Sequence, residues 1–123
     1  MSDDRDLPEF RIRVIFGALG MLGPGKADLL ERIRDTGSIA AAGREMGMSY
    51  KRAWQLVDTL NAMFRDPLVE RTRGGAKGGG AHVTEAGLCV LQEYRALEAE
   101  ARRASGTHIE RLRAMLTDIP DGK

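Results

Sequence analysis

Two helix-capping serines separated by a glycine most strongly constrain how this chain can fold. Ser38 and Ser49 each precede an apolar-periodic segment, where a hydroxyl can accept a hydrogen bond from an otherwise unpaired backbone N–H. Gly47 stands where a chain leaves a helix through a left-handed conformation, which disfavours residues with a Cβ. The pattern predicts a short helix over residues 39–46, a tight turn and a longer helix over residues 50–63, which is a helix-turn-helix.

Apolar residues on the two predicted helices repeat as expected for helices that cross and share a core. The same pattern would suit any helical hairpin, so the exposed face of the second helix decides between the two interpretations. That face carries long hydrogen-bond donors toward its N-terminal half, where recognition helices contact bases and phosphates. The predicted buried set is Ile39, Ala42, Gly43, Met46, Met48, Ala53, Leu56, Val57 and Leu60, and the exposed face is Lys51, Arg52, Gln55, Asp58 and Thr59.

A β-hairpin is predicted directly after the second helix. Pro67 ends the helix, because proline disfavours the α conformation in the residue before it. Residues 68–73 and 81–83 can form two strands joined by the glycine-rich segment 74–80, and Thr84 is expected to start another helix. A hairpin in this position is a wing.

Positive charge concentrates in the predicted recognition helix and wing. From Ser49 to His82 six basic residues minus three acidic ones leave +3, whereas the whole chain carries +1. A local excess of this kind favours one nucleic-acid face on an otherwise balanced protein. Trp54, one turn from Tyr50, is interpreted as a packing residue rather than a base stacker. The candidate DNA contacts are Ser38, Ser49, Tyr50, Lys51, Arg52 and Gln55 around the helices and Arg71, Arg73 and Lys77 on the wing, with His82 adding to the wing's charge.

The N-terminal part is interpreted as scaffold. Residues 1–9 are polar and expected to be flexible, and residues 10–16 alternate with the period of a β-strand. Residues 17–25 are expected to form a glycine-rich loop. Residues 27–36 are predicted to form the first helix, which Gly37 ends.

The segment after the wing predicts a dimerisation surface. Five residues recur at spacings of four, three, four and three, the a/d pattern of a coiled coil. Gly106 is expected to break this helix, and Thr107 with Glu110 predicts a capping box for a last short helix. Docking back onto the same chain is the alternative, but a homodimer is favoured because two-fold proteins read two half-sites. The predicted seam is Val90, Tyr94, Leu97, Ala101 and Ala104.

These segments together predict a mainly α fold with a small β component: a winged helix-turn-helix followed by C-terminal dimerisation helices. The expected organisation is a flexible N-terminus over residues 1–9, a DNA-binding domain over 10–83, dimerisation helices over 84–119 and a tail over 120–123. Cys89, the one cysteine, excludes an intrachain disulfide and lies in an apolar helical run. It is therefore expected to be a buried structural thiol.

Catalysis has little support in the sequence. His82 and His108 have no Cys/His neighbours at metal-ligand spacing, and no nucleophile elbow or dinucleotide fingerprint is present. Gly25-Lys26 lacks the spaced glycine and the following Ser/Thr of a phosphate-binding loop and is interpreted as a turn. We expect no enzyme activity and no cofactor. The absence of a long apolar stretch and the acidic N-terminus predict a cytoplasmic protein with no membrane partner.

The segments that carry a resemblance to a known family are 37–39, 47–54 with its Ser-Tyr-Lys-Arg-Ala-Trp run, 68–71, 78–80 and 83–87. They resemble the N-terminal domain of ModE-type molybdate-responsive transcriptional regulators, whose winged helix is similar to that of LysR-type regulators. The likeness covers roughly residues 10–103 and implies DNA binding. ModE-type proteins also carry C-terminal Mop-type domains that bind molybdate, which a chain ending at Lys123 is expected to lack. DNA binding independent of molybdate and tungstate is therefore expected.

The sequence predicts a transcriptional regulator that binds specific duplex DNA as a homodimer through the helix over residues 50–61 and a basic wing, and the resemblance implies a role in molybdenum homeostasis. The alternative is an interaction module that does not read DNA. Such a module would dimerise with a full-length regulator or serve as an oxyanion-binding accessory protein. Retention of Lys51, Arg52, Arg71 and Arg73 favours DNA binding.

Overall fold

Four helices and two small hairpins make up the part of the chain that the computed structural model describes, residues 10–72 and 80–117. The mainly α class with a small β component is confirmed. A 3₁₀ turn over Gly17–Leu19 separates the first two strands. The elements in chain order are β1 Val14–Ile15, β2 Met21–Leu22, α1 Pro24–Thr36, α2 Ile39–Glu45, α3 Tyr50–Met63, β3 Val69–Thr72, β4 Gly80–Val83 and α4 Glu85–Ala114.

The core lies between α1, α2 and α3 and extends to β4 and the first half of α4. Large apolar side chains fill it, and each contributes about 1.5–3 kcal/mol on burial. The least exposed of these are Leu29, Leu30, Ile33, Val57, Leu60 and Leu68.

Both predicted helix caps and the turn between them are confirmed. The Ser38 hydroxyl accepts a hydrogen bond from the Ala41 N–H at 3.0 Å, and the Ser49 hydroxyl accepts one from the Arg52 N–H at 3.0 Å. Gly47 has φ 73°, the left-handed conformation that the turn requires. α2 and α3 therefore begin and end within a residue of their predicted bounds.

Gly43, which belongs to the predicted buried set, is buried and lies where α2 and α3 cross. A Cβ added there would lie 3.0 Å from the Ala53 Cβ and 3.4 Å from the Met48 Cγ. A larger residue would push the helices apart. Glycine at this position therefore permits the close approach of α2 and α3.

The wing strands β3 and β4 are antiparallel, with Val69 opposite Val83 and Thr72 opposite Gly80. This confirms the predicted hairpin, although most of its predicted turn lies in residues 73–79, outside the described part of the chain. Thr84 then starts α4, and its hydroxyl accepts from the Gly87 N–H and donates to the Pro67 carbonyl.

The N-terminal segment differs from its prediction in three places, the first being that Met21–Leu22, inside the predicted loop over residues 17–25, form β2 and pair with β1. Only Val14–Ile15 of the predicted strand forms a ladder, because the 3₁₀ turn and Gly20, at φ 136°, bend the chain back at once. α1 begins at Pro24 rather than residue 27, because proline at the first helical position fits the helix φ and has no N–H to lose. Residues 25–26 therefore belong to the helix α1, and the prediction that they form a non-helical turn was wrong.

α4 runs without interruption from Glu85 to Ala114, so the predicted break at Gly106 was wrong. A glycine inside a helix costs only about 1 kcal/mol relative to alanine, and residues on both sides favour the helix. Thr107 consequently lies in the helix interior and not at a cap. Within the described residues, no helix combines the length and the apolar character needed to cross a bilayer.

Cys89 is exposed, contrary to the predicted buried thiol. The face of α4 that packs on the domain carries Gly87, Leu91 and Tyr94, spaced by four and three residues. Cys89 is two residues from Gly87 and from Leu91, which places it about 200° around the helix from each. An apolar run does not identify the buried face of a helix, whereas the spacing of the buried residues does.

The first half of α4 docks on its own chain through Tyr94 and Arg95. Tyr94 is 2% exposed, and its hydroxyl donates to the Ile12 carbonyl at 2.6 Å. Burial and then the nearby Glu98 carboxylate raise the pKa of this phenol. The predicted seam residue Tyr94 therefore belongs to the core of its own domain. The Arg95 guanidinium also bonds carboxylates on α1 and α4, namely those of Asp28, Glu31 and Glu98.

Candidate nucleic-acid interface

α3 presents its polar face outward along its first two turns. Lys51, Arg52 and Gln55 are exposed, whereas Ala53 and Val57 point into the core. Lys51 and Gln55 are four residues apart and share one face of the helix. Such a face can place donors at base edges, because the major groove of B-DNA admits an α-helix.

The wing is held against α3 by an aromatic contact. The Arg71 guanidinium carbon lies 4.7 Å from the centroid of the Trp54 ring, within range of a cation–π interaction. Trp54 also meets Tyr50 edge to face, with ring centroids 6.2 Å apart. Trp54 is half-buried against the core, as expected for a packing residue, and it holds two candidate DNA-contacting residues in place.

A shallow cavity of about 240 Å³ lies where the wing meets the helix-turn-helix. Its lining brings together Ser38, Tyr50, Trp54 and Arg71, which come from three separate segments of the chain. The Ser38 hydroxyl accepts the cap bond of α2 and Ser38 is half-buried, whereas Tyr50 and Arg71 are exposed. The structure thus brings the predicted helix and wing residues onto one surface.

Asn61 joins α3 to the wing, and sequence reasoning missed it. Its side-chain oxygen accepts from the Leu68 and Val69 N–H groups at 2.8 and 3.1 Å, and its amide nitrogen donates to the Val69 carbonyl at 3.1 Å. The bonds fix the start of β3 relative to the last turns of α3. The one signal in the sequence is an amide shortly before a proline turn, which is too common to identify this role.

A second anchor ties β4 to the turn between α1 and α2. The Ala81 N–H donates to the Gly37 carbonyl at 3.0 Å. A Cβ added at Gly80 would lie 3.0 Å from the same carbonyl, so glycine permits the close approach. β3 and β4 are therefore each bonded to the helix-turn-helix, which makes the wing base and the helices one unit.

The remaining predicted wing residues give less structural information. Arg73 and Lys77 lie outside the described residues. His82 is exposed, and its Nε2 lies 3.6 Å from the Glu70 carboxylate, a pairing that carries charge only when the imidazole is protonated. Within residues 10–72 and 80–117, no three His, Cys, Asp or Glu side chains are grouped so that they could hold a metal ion.

The exposed face of α4 borders an apolar groove of about 620 Å³, here called the α4 groove. Phe16 and Phe64 meet edge to face on its far side, with ring centroids 6.5 Å apart. Of the predicted seam residues, Val90, Tyr94 and Leu97 line the groove. Ala101 is half-buried and Ala104 exposed farther along α4.

Comparison with known proteins identifies relatives of this region. The profile of the family described as bacterial regulatory helix-turn-helix protein, lysR family, matches residues 26–88. The chain is 47% identical over 85 residues to the molybdenum-pterin-binding protein MopA of Rhodobacter capsulatus, which is 69% of this chain and 32% of MopA. It is 40% identical over 94 residues to the molybdenum transport protein ModE of Azotobacter vinelandii, covering 76% of this chain and 33% of that protein.

A third relative is the DNA-binding transcriptional dual regulator ModE of Escherichia coli K12. The identity is 37% over 81 residues, covering 66% of this chain and 31% of the regulator. The chain therefore spans about a third of the length of the curated relatives it matches.

Proposed function

This chain belongs to the lysR family of bacterial regulatory helix-turn-helix proteins, and we propose that it binds specific sequences of duplex DNA and regulates transcription. The observation that carries the proposal is the contact between Arg71 and Trp54, because it joins the wing base to α3 on one basic surface. A helical hairpin that binds no ligand does not require the Arg71 guanidinium to lie against α3. The family is one of regulators and not an enzyme class.

In this proposal α3 enters the major groove and its exposed face reads bases. Lys51 can donate to the O6 and N7 acceptors of guanine, and Gln55 can pair with adenine. Both side chains are exposed and lie one turn apart on the same face. Tyr50 is also exposed and lies at the N-terminus of α3. In the proposed arrangement it would lie close to the phosphate backbone of one DNA strand.

The wing supplies contacts to the flanking backbone or minor groove. Arg71 lies over Trp54 and has lost part of its conformational freedom before DNA arrives, which lowers the entropy cost of binding. Arg73 and Lys77 are assigned to the wing from the sequence. Phosphate contacts of this kind give affinity and register, whereas α3 gives specificity.

We further propose that the protein acts as a homodimer through the α4 groove and the exposed face of α4. α4 has 30 residues, so it is about 45 Å long, and its second half extends away from the packed core. Leu97 is 36% exposed at the groove, and Leu112 and Met115 are 63% and 80% exposed near the helix end. A second copy would cover this apolar surface and present a second α3 for a two-fold operator.

The genes under control are proposed to concern molybdenum, because the relatives are named for molybdenum transport and molybdenum-pterin binding. Genome-wide mapping of the sites that the protein occupies tests this. Sites next to molybdenum transport or molybdenum-cofactor genes are the expected result. Occupancy unrelated to such genes would exclude this part of the proposal and leave the DNA-binding part standing.

Selection from a random duplex library tests DNA binding directly. The expected result is enrichment of one two-fold symmetric sequence. Trp54, the only tryptophan of the chain, lies at the interface, so its fluorescence should change on titration with the selected duplex. Lys51→Ala should lose about 1–3 kcal/mol of discrimination at one base-pair position. The control for this variant is Arg111→Ala, which removes an exposed arginine in the last turn of α4. A selection that enriches no sequence would exclude the proposal.

A further inference from the structure

A second basic surface lies against α3, on the side away from the wing. It is a groove of about 500 Å³, here called the basic groove, and α3 contributes Arg52 and Leu56 to it. Residues 52 and 54 are about 200° apart around a helix. The basic groove and the Trp54–Arg71 contact therefore occupy opposite flanks of α3. The cationic side chains that line the basic groove are Arg11, Arg13, Lys26 and Arg52.

The charge of the basic groove is not balanced within the described residues. No carboxylate of the described residues lines the groove, and none of its four cations forms an ion pair with one of them. In the same molecule, by contrast, Arg95 is surrounded by three carboxylates. None of the carboxylates in residues 10–72 and 80–117 lies in this groove, although several of them pair with arginines elsewhere in the molecule.

The burial of Lys26 makes the excess positive charge of the basic groove energetically unfavourable. Lys26 is 9% exposed, and its ammonium donates to the Met21 carbonyl at 2.9 Å. Burial, followed by the positive charge of Arg52, lowers the pKa of this amine. A buried cation that faces other cations loses hydration without gaining a counter-charge, and an anion bound in the groove would offset that loss.

We propose that the basic groove binds a phosphodiester of the DNA strand on the side of the major groove opposite the wing; this inference rests on the proposed DNA binding. α3 would then lie between two backbone contacts, one at Arg71 and one at the basic groove. Arg52 is assigned to phosphate, which leaves Lys51 and Gln55 as the base-reading pair. The N-terminal hairpin would thus be part of the DNA interface as well as scaffold.

The test is the double variant Arg11→Gln/Arg13→Gln in the full chain. Both side chains are exposed, and glutamine keeps most of the aliphatic stem, including the part of Arg13 that lies against Gly23. We expect affinity to fall roughly three- to tenfold for each arginine, equally for the selected operator and for unrelated duplex. The slope of log K against log salt should become shallower by about 0.9 for each phosphate that the variant no longer neutralises. Arg111→Gln is the matched control and should change neither quantity.

The outcomes separate this inference from the proposed function. If the wild type binds no duplex, both are excluded. A second outcome is that the wild type binds, Lys51→Ala weakens binding and the double variant keeps the affinity and salt slope of the wild type. In that case only the inference that the basic groove binds DNA is excluded. A loss confined to one base-pair position would also exclude it, because the arginines would then read a base.

A free oxyanion offers the same chemistry as a phosphodiester, so calorimetry with inorganic phosphate and with molybdate forms a second arm. The free ions are expected to bind weakly, because they lack the neighbouring contacts that a duplex supplies. Tight stoichiometric uptake that disappears in the double variant would identify a small-anion site and overturn the assignment to DNA.

Discussion

The Arg71 guanidinium lies 4.7 Å from the centre of the Trp54 ring, so a residue of the wing rests on a residue of the recognition helix. Trp54 is in turn packed against the core and against Tyr50. The indole therefore lies between the two elements that are proposed to contact DNA. Its removal is expected to affect DNA binding even though no base contact is assigned to it.

A double-mutant cycle on Trp54 and Arg71 tests this arrangement. Trp54→Leu keeps an apolar side chain but removes the aromatic face, and Arg71→Ala removes the cation. The coupling free energy for DNA binding should be about 0.5–1 kcal/mol, the size of an exposed cation–π interaction. Fluorescence anisotropy of a labelled duplex measures the binding free energy of the wild type, of the two single variants and of the double variant. Strictly additive losses would show that Arg71 reaches DNA without help from Trp54.

Asn61→Ala should destabilise the wing base. It leaves the Leu68 and Val69 N–H groups without their acceptor, a loss of about 1–3 kcal/mol in the free energy of unfolding. Thr59→Ala on the same helix is the control, since its exposed hydroxyl bonds back to the Gln55 carbonyl of its own helix and to no other described residue. Thermal unfolding compares the two, and equal midpoints would contradict the role given to Asn61.

Two glycines of α4 should respond to alanine in opposite directions. A Cβ at Gly87 would lie 2.3 Å from the Leu68 carbonyl oxygen, so Gly87→Ala should cost at least about 1–3 kcal/mol of stability. Nothing lies within 4 Å of a Cβ at Gly106, so Gly106→Ala should stabilise by about 0.5–1 kcal/mol. Denaturant titration of both variants measures the difference. A destabilised Gly106→Ala variant would argue for a helix break at that residue.

Leu97→Glu should separate the proposed dimer into monomers. Burying an unpaired carboxylate in the α4 groove costs several kcal/mol, enough to disfavour association. Leu88→Glu is the control, because Leu88 is similarly exposed at 42% and lies nine residues away, on the opposite side of α4.

Sedimentation at micromolar concentration should show a dimer for the wild type and for Leu88→Glu. Leu97→Glu should sediment as a monomer with an unchanged unfolding midpoint. A monomeric wild type, or a monomeric Leu88→Glu variant, would remove the support for this surface.

Local signals in the sequence were sufficient for the helix-turn-helix. Ser38, Gly47 and Ser49 each act within a few residues of their own position, so capping and left-handed turn preferences determine the result without reference to the rest of the chain. The hairpin was also predicted from local signals, although α3 ends at Met63, before the residue that precedes Pro67, and β3 begins at Val69.

Contacts between distant residues were not accessible from the sequence. The Tyr94 hydroxyl bonds to the Ile12 carbonyl, 82 residues away, and a helical repeat cannot distinguish that contact from one with a partner. The prediction of a helix break overestimated the effect of Gly106, because one glycine destabilises a helix by less than its neighbouring residues stabilise it. The basic groove was missed because its four cations come from three segments, which only the fold brings together.

The continuity of α4 through Gly106 also has a mechanical consequence. A helix without a joint behaves as a lever, so a tilt of about 10° at one end of a rod about 45 Å long displaces the other end by about 8 Å. Thr84 is the N-cap of α4, and its hydroxyl bonds both to the Pro67 carbonyl and to the Gly87 N–H. The crossing angle of two paired α4 helices would therefore set the distance between their recognition helices, and with it the spacing of the half-sites that a dimer can span.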